Sequence, residues 1–262
     1  MTPALLCLLM ATQLPPVQPA ASAQASPGAP LVEFSLTPEV VVRQVRFHQR
    51  LTPLLLAGYR SGVLGLVRLG LAIYPAANRD LPIISDIGLT GSFGRSMKTN
   101  TLTADGALAF QTSETAWDAG ARWRGIFSGQ ERLALSLSYG SLRNDYTGAQ
   151  LPNVLLPSGT LQYWRPGAEA RFPFGAFALG AGAGVLFPVS RNAIGKAFPR
   201  STSAGVDADL HGSLDLGRTL LRLSLKYTRF FYALHPVPHD PFIAGGALDE
   251  LFALDLSIIL RF

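Results

Sequence analysis

Along most of this chain apolar and polar residues alternate with a period of two, the repeat of a strand that turns one face to an apolar medium and the other to a polar one. Ten such stretches stand out, at roughly 39–49, 62–74, 86–96, 115–127, 132–143, 162–173, 177–188, 204–216, 220–231 and 250–262. Clusters of Gly, Pro, Asn and Ser separate them. The connections alternate in length: 128–131, 174–176 and 217–219 are tight, whereas 97–114, 144–161, 189–203 and 232–249 are long, and only 75–85 is longer than a turn on the short side needs. Strands that run up and down in order, with both termini on the short-turn side, produce this alternation. The pattern predicts an all-β fold, a transmembrane antiparallel up-and-down β-barrel of about ten strands, with eight or twelve as alternatives.

A soluble sandwich also alternates, so the aromatics decide what the apolar face meets. On five strands they sit near the ends of that face: Trp117 and Phe127, Trp164 and Phe172, Phe177 and Phe187, Phe252 and Phe262, and Tyr139 alone. Ten residues rising about 3.3 Å each and tilted about 40° cover roughly 25 Å, the height of a lipid-facing band between two aromatic girdles. Trp117, Tyr139, Trp164, Phe187, Phe231 and Phe252 are expected in the outer girdle, and Phe127, Phe172, Phe177 and Phe262 in the inner one. The final stretch, F-A-L-D-L-S-I-I-L-R-F from Phe252 to Phe262, resembles the C-terminal targeting strand of bacterial outer-membrane β-barrels. That resemblance implies a Gram-negative outer membrane with both termini in the periplasm. It also implies recognition of residues 252–262 by the barrel-assembly machinery, and contact with outer-membrane lipid and lipopolysaccharide.

The other face is charged. Strand 177–188 offers Ala178, Gly180, Gly182 and Gly184 inward, flanked by Arg165, Glu169 and Arg171 on one side and Asp207, Asp209 and His211 on the other. Long charged groups are thus expected to lean over a glycine stripe. Asp118, Arg122, Arg124, Arg46, Arg68, Arg222 and Lys226 are read as inward too, with Asp215 and Asp255 among the acids. Interleaved signs predict a lumen filled by ion pairs, since charges out of water need partners. A slight basic excess leaves a narrow, anion-preferring path as the alternative. Arg43 shares parity with Val41, Val45 and Phe47, so it is read as snorkelling from the lipid face, or else the strand begins later.

The start of the chain adds an export signal. Ala4 to Ala11 is a short apolar run, too short to span a bilayer, and Ala21-Ser22-Ala23 offers a small-x-small cleavage site. The division expected is 1–23 signal peptide, 24–38 N-terminal periplasmic segment and 39–262 barrel. Cys7 is the single cysteine and falls in the signal, so neither a disulfide nor a thiol nucleophile is expected in the mature chain. Charged residues are 15% of the chain against 48% hydrophobic, a lean surface for a soluble protein. The net charge of +5 arrives without a Lys/Arg run or zinc spacing, which argues against nucleic acid as a partner.

Candidate chemistry is sparse. Asp209-Leu210-His211 resembles the Asp-x-His pair of the omptins, ten-stranded outer-membrane proteases in which such a pair polarises a water. That family's facing acidic pair has no counterpart on a neighbouring strand here. His211-Gly212-Ser213 resembles the His-x-Ser of outer-membrane lipid A deacylases, whose site faces the lipid. Asp209, His211 and Ser213 are therefore the catalytic candidates, against a plain network role for an inward histidine among carboxylates. No metal site and no cofactor are expected. In the loops, Arg191, Lys196 and Arg200 form a basic cluster, while 153–157 and 241–247 place apolar residues on a partner surface or over the mouth of the barrel. The role expected is non-enzymatic, structural or surface-interacting, with a narrow solute channel second and a surface hydrolase third.

Overall fold

The computed structural model describes residues 30–262 apart from 52–57, 78, 80–82, 104–108, 128–129, 148–157, 191–192 and 241, so the expected signal peptide and the apolar stretch 153–157 lie outside the described residues. Twelve strands are present: β1 Val32–His48, β2 Tyr59–Ser61, β3 Leu64–Ile73, β4 Ile87–Ser96, β5 Thr99–Thr103, β6 Ala109–Phe127, β7 Gln130–Thr147, β8 Gly159–Phe174, β9 Phe177–Pro188, β10 Thr202–Asp215, β11 Thr219–Ala233 and β12 Gly246–Arg261. A five-residue helix, α1 (Ala193–Ala197), lies between β9 and β10. The ring runs β1-β3-β4-β6-β7-β8-β9-β10-β11-β12 and closes by pairing β12 with β1, which makes ten antiparallel staves. The short β2 and β5 bridge β1 and β6 beyond the ends of β3 and β4. The count of ten thus holds because two staves are interrupted, one at Gly62 and Val63, the other at Met97 and Lys98.

Closure is continuous in register from Glu33↔Arg261 to His48↔Gly246. The Phe262 carbonyl accepts from the amides of Leu31 (2.7 Å) and Val32 (3.1 Å). No strand edge of the ring is left to pair with another chain. Turns 216–218 and 175–176 and the described residues of the connection 74–86 lie at the end that holds Pro30 and Phe262, called the terminal mouth below; the described residues of 189–201 and 234–245 lie at the loop mouth.

Most strands run further toward the loop mouth than alternation alone indicates: β6 begins at Ala109, β7 continues to Thr147 and β12 begins at Gly246. At the other end β1 begins at Val32, seven residues before the expected start, because Phe34 and Leu36 continue the outward apolar row.

The two faces differ sharply. On β12, Phe252, Leu254, Leu256, Ile258, Leu260 and Phe262 are 38–68% exposed, whereas Leu251, Ala253, Asp255 and Ser257 are 9% or less. The same outward row continues through Val67, Leu69 and Leu71 on β3, Leu135 and Leu137 on β7, Leu179 and Val185 on β9, and Leu223 and Leu225 on β11. Water would penalise a belt of this extent, whereas hydrocarbon accepts it, and the backbone ladder closes round the ring by pairing β12 with β1. Aromatic rings edge the belt: Trp117, Tyr139 and Trp164 form an arc with centroids 5.8 and 5.1 Å apart, and Tyr227 lies 4.7 Å from Phe252. Phe127, Phe172, Phe177 and Phe262 are exposed at the opposite edge, and Phe187 and Phe231 are exposed on the loop side. No helix among the described residues is long and apolar enough to cross a membrane; the strands cross it. The molecule has the architecture of an outer-membrane β-barrel.

Leu256 lies midway along the outward row of β12. Leu256→Arg should therefore destabilise the refolded barrel by about 2–4 kcal/mol, as a cation near the bilayer midplane does. Urea unfolding in lipid vesicles measures this, and the conservative Leu256→Ile should stay within about 1 kcal/mol of wild type.

Candidate functional site

The lumen is built in three layers. At the terminal mouth Arg122 pairs with Glu131 (2.5 Å) and reaches Glu169 at 3.4 Å, and Arg222 reaches the same Glu169 at 3.4 Å. Arg261 pairs with Asp215 (2.5 Å). Arg124 stacks on the Tyr74 ring at 3.3 Å from its centroid, donates to the Pro30 carbonyl at 3.3 Å and lies 3.8 Å from Glu33. Arg171 donates to Ser213 Oγ at 3.1 Å and has no carboxylate within ion-pair distance among the described residues. These groups enclose a cavity of about 380 Å³.

The middle layer holds the glycine stripe. A Cβ on Gly180 would lie 2.1 Å from His211 Nε2, and one on Gly182 2.2 Å from Asp209 Oδ1. The missing side chains of β9 are the space that the long groups of β10 occupy. Arg165 (β8) reaches across β9 to make a two-point contact with Asp207 on β10, both bonds 2.6 Å. Lys226 meets Asp255 at 2.8 Å. Arg68 lies 3.4 Å from Glu39 and 3.6 Å from Asp118, and Ser92 donates to Asp118. A second cavity, of about 360 Å³, lies among these groups.

The loop-end layer is apolar and was not legible in the sequence as part of the lumen. Inward-facing Val41, Val45, Phe47, Leu64, Phe110, Leu142, Leu161, Leu186, Phe230 and Tyr232 pack with Ile194 and Phe198 from the α1 loop. Phe198 lies 6.4 Å from Phe47 and 6.2 Å from Phe242. Segment 242–247 thus folds over the mouth, with Ala244 fully buried.

This layer corrects the reading of β1: Arg43 points inward, 3% exposed, and its Nε and Nη2 donate to Asp249 at 2.8 and 2.5 Å. Val41, Val45 and Phe47 face the lumen rather than lipid because they fill this plug. Arg46 has the opposite parity and lies on the outside, paired with Glu250 at 2.9 Å, not in the lumen. Tyr146 donates to the Tyr59 hydroxyl at 2.7 Å beside the Arg43 pair. Glu114 is buried here with one carboxylate oxygen lacking a hydrogen-bond partner.

The ten lumen residues singled out in the sequence, Arg122, Arg124, Arg165, Glu169, Arg171, Asp207, Asp209, His211, Arg222 and Lys226, all turn inward. Arg43, Asp249, Glu39, Glu114 and Glu131 escaped that reading. Glu39 shares the parity of Val41 and Arg43 and is misplaced with them, and Glu131 shares the parity of the outward Leu135 and Leu137 but is carried inward by the register shift between Gly125 and Ile126.

The catalytic candidates Asp209, His211 and Ser213 are tied into the luminal network. His211 Nδ1 is 2.9 Å from Asp209 and Nε2 is 3.4 Å from Glu169, so carboxylates face both ring nitrogens. The Ser213 hydroxyl accepts from Arg171 and donates to the Ala178 carbonyl (3.5 Å), so no base is turned toward it. A nucleophile needs a base in hydrogen-bond reach. His211 and Ser213 are 4% and 2% exposed, on the luminal face, away from lipid substrates. Among the described residues no group of three His, Cys, Asp or Glu is placed to hold a metal ion.

In the loops, Arg200 donates to Asp240 and, at 3.2 Å, to the His235 carbonyl; Asp240 also accepts from the Val237 amide at 2.8 Å. Arg191 and the side chain of Lys196 lie outside the described residues. The Arg200 hydrogen bond, then the Val237 amide, hold the Asp240 carboxyl below its ordinary range. The pair's contribution is thus present above the ordinary carboxyl pKa of about 4 and lost as pH falls through the lowered value. Protection of the Val237 amide from exchange, corrected for intrinsic rate, should persist through mild acid and collapse only below that range, and Asp240→Ala should abolish it at neutral pH.

No protein-family model matches the chain, and no curated protein does. Among solved structures the chain is similar to the outer membrane protease OmpT from Escherichia coli (TM-score 0.46, 8% identity, 88% of this chain and 96% of that one). It is also similar to the translocator domain of the autotransporter NalP from Neisseria meningitidis (TM-score 0.43, 14% identity, 87% and 88%). An outer membrane channel from Pseudomonas putida F1 gives a TM-score of 0.42 at 12% identity, with 87% and 95% covered.

Proposed function

We propose that this chain is a bacterial outer-membrane protein that works as a closed barrel, a structural and surface-interacting element without chemistry of its own, its termini in the periplasm. The observation that carries this reading is the plug at the loop mouth. Phe47, Ile194, Phe198, Phe230, Tyr232 and Leu234 are each 8% exposed or less, an apolar layer across the described lumen that opposes the passage of an ion. Short turns on the side of the termini and long connections on the other support the orientation, because periplasmic turns are the short ones. The same polarity makes the loop mouth the face that meets lipopolysaccharide and other surface partners. The outward row of residues 252–262 is the feature through which the barrel-assembly machinery would read the chain.

The test is conductance of the refolded, heat-modifiable protein in a planar bilayer under a salt gradient. The closed barrel should be silent, while its folded state is verified by heat-modifiable migration on gels. Steady openings with anion preference would overturn the reading in favour of a path lined by Arg122, Arg165, Arg171 and Arg222.

A further inference from the structure

We infer that the cavity at the terminal mouth is a binding site for a small tetrahedral oxyanion, a phosphate or phosphate monoester. This holds whether the far end of the lumen is closed or open.

The lining argues for it first by charge. Arg122, Arg124, Arg171, Arg222 and Arg261 face the cavity against Glu33, Glu131 and Asp215, so guanidinium groups exceed carboxylates by two. Glu169 behind them reduces that excess without removing it, and it is already shared by Arg122, Arg222 and His211. The second argument is hydrogen bonding. The Nε groups of Arg124, Arg171, Arg222 and Arg261 are buried with no acceptor. Buried donors are normally satisfied, and these Nε groups, closed off from the cavity as they stand, would reach one ligand that accepts several bonds by a small turn of the guanidinium groups.

Arg171 is the centre of the site. Every other arginine in the lining has a carboxylate partner, whereas Arg171 has only the Ser213 hydroxyl. A phosphate offers it two oxygens in the spacing of a guanidinium fork, with further oxygens left for Arg222 and Arg261. The volume of about 380 Å³ holds a phosphate with room for water or a small ester group. The rim is formed by Pro30, Gln130 and the Gly175-Ala176 turn, at the mouth where solute would enter.

Calorimetric titration of the refolded full chain in detergent, in chloride buffer of fixed ionic strength, tests the site with inorganic phosphate and, separately, glycerol 3-phosphate. Wild type should bind one phosphate saturably. Arg171→Gln, which breaks no ion pair, should weaken binding at least about tenfold, roughly the effect of one lost charge-assisted contact. Arg200→Gln at the loop mouth should bind like wild type. Tighter binding of glycerol 3-phosphate than of phosphate would identify a headgroup or other ester as the occupant, and the reverse order free phosphate. Absence of saturable binding by folded wild type, or wild-type affinity in folded Arg171→Gln, would overturn the inference. Should Arg171→Gln lose heat-modifiable migration, Arg171→Lys keeps the charge but not the fork, and undiminished affinity in that variant would equally overturn it.

Discussion

Asp249→Ala should destabilise the barrel by about 3–5 kcal/mol, the cost of leaving a buried guanidinium without its counter-ion. The side chains of Arg43 and Asp249 are 4% and 0% exposed, and Arg43 Nη1 has no partner even with Asp249 in place. Glu114, the other buried carboxylate of this layer, makes no hydrogen bond to Arg43, and its backbone is held by the Ser96 hydroxyl. Removing both charges is a different matter. The double variant Arg43→Met with Asp249→Leu puts apolar side chains into an apolar plug, and should be more stable than either single variant, a positive coupling that a double-mutant cycle in urea measures directly. A loss under about 1 kcal/mol for Asp249→Ala would mean that water reaches Arg43, and with it the interior of the plug.

Phe230→Ala is expected to cost about 3–5 kcal/mol and, in addition, to change what the lumen does. Phe230 is 1% exposed and lies 6.1 Å from the Tyr163 ring. It approaches Gly205 so closely that a Cβ there would be 2.8 Å from the ring, so its place in the wall is made by the absence of a side chain on β10. It belongs both to the plug and to the lining of the middle cavity. Truncating it joins that cavity to the plug. The expected electrical result is brief, noisy openings in a planar bilayer where wild type is silent, together with a lowered urea midpoint. A destabilised variant that stays silent would place the barrier in the α1 loop, at Ile194 and Phe198, instead of in the barrel wall.

The sequence revealed strands, parities and the charged wall because each is a local, period-two feature. Asp207, Asp209 and His211 alternate with Ala208 and Leu210, and the opposing glycines of β9 declare where the long groups go. It failed where the lumen itself turns apolar. Val41, Val45 and Phe47 look like a lipid face, since alternation separates two faces without saying which of them points inward. Their true neighbours, Phe230, Tyr232 and Phe198, come from strands and a loop more than 150 residues away in the chain, and no local pattern predicts that meeting. Arg43 was the clue. A cation in phase with three apolar residues contradicts a lipid face, and its counter-ion Asp249 sits directly before Glu250, which has the other parity and faces outward to Arg46. The orphaned donors around Arg171 were equally hidden, because whether an arginine finds a carboxylate depends on reach across the lumen.

Ring closure has a kinetic consequence. The side-chain contacts that fasten β1 to β12 join residues far apart in the chain: Arg43 to Asp249 across 206 positions, and the hydroxyls of Thr37 and Ser257 (2.9 Å) across 220. Every other seam of the ring is a hairpin or near-hairpin that can zip locally, whereas this one must wait until the remaining staves have brought its two sides together and the entropy of the largest loop has been surrendered. The β1/β12 seam should therefore be the last to form and set the pace of folding, and an unclosed sheet that precedes it would have two long, unpaired edges.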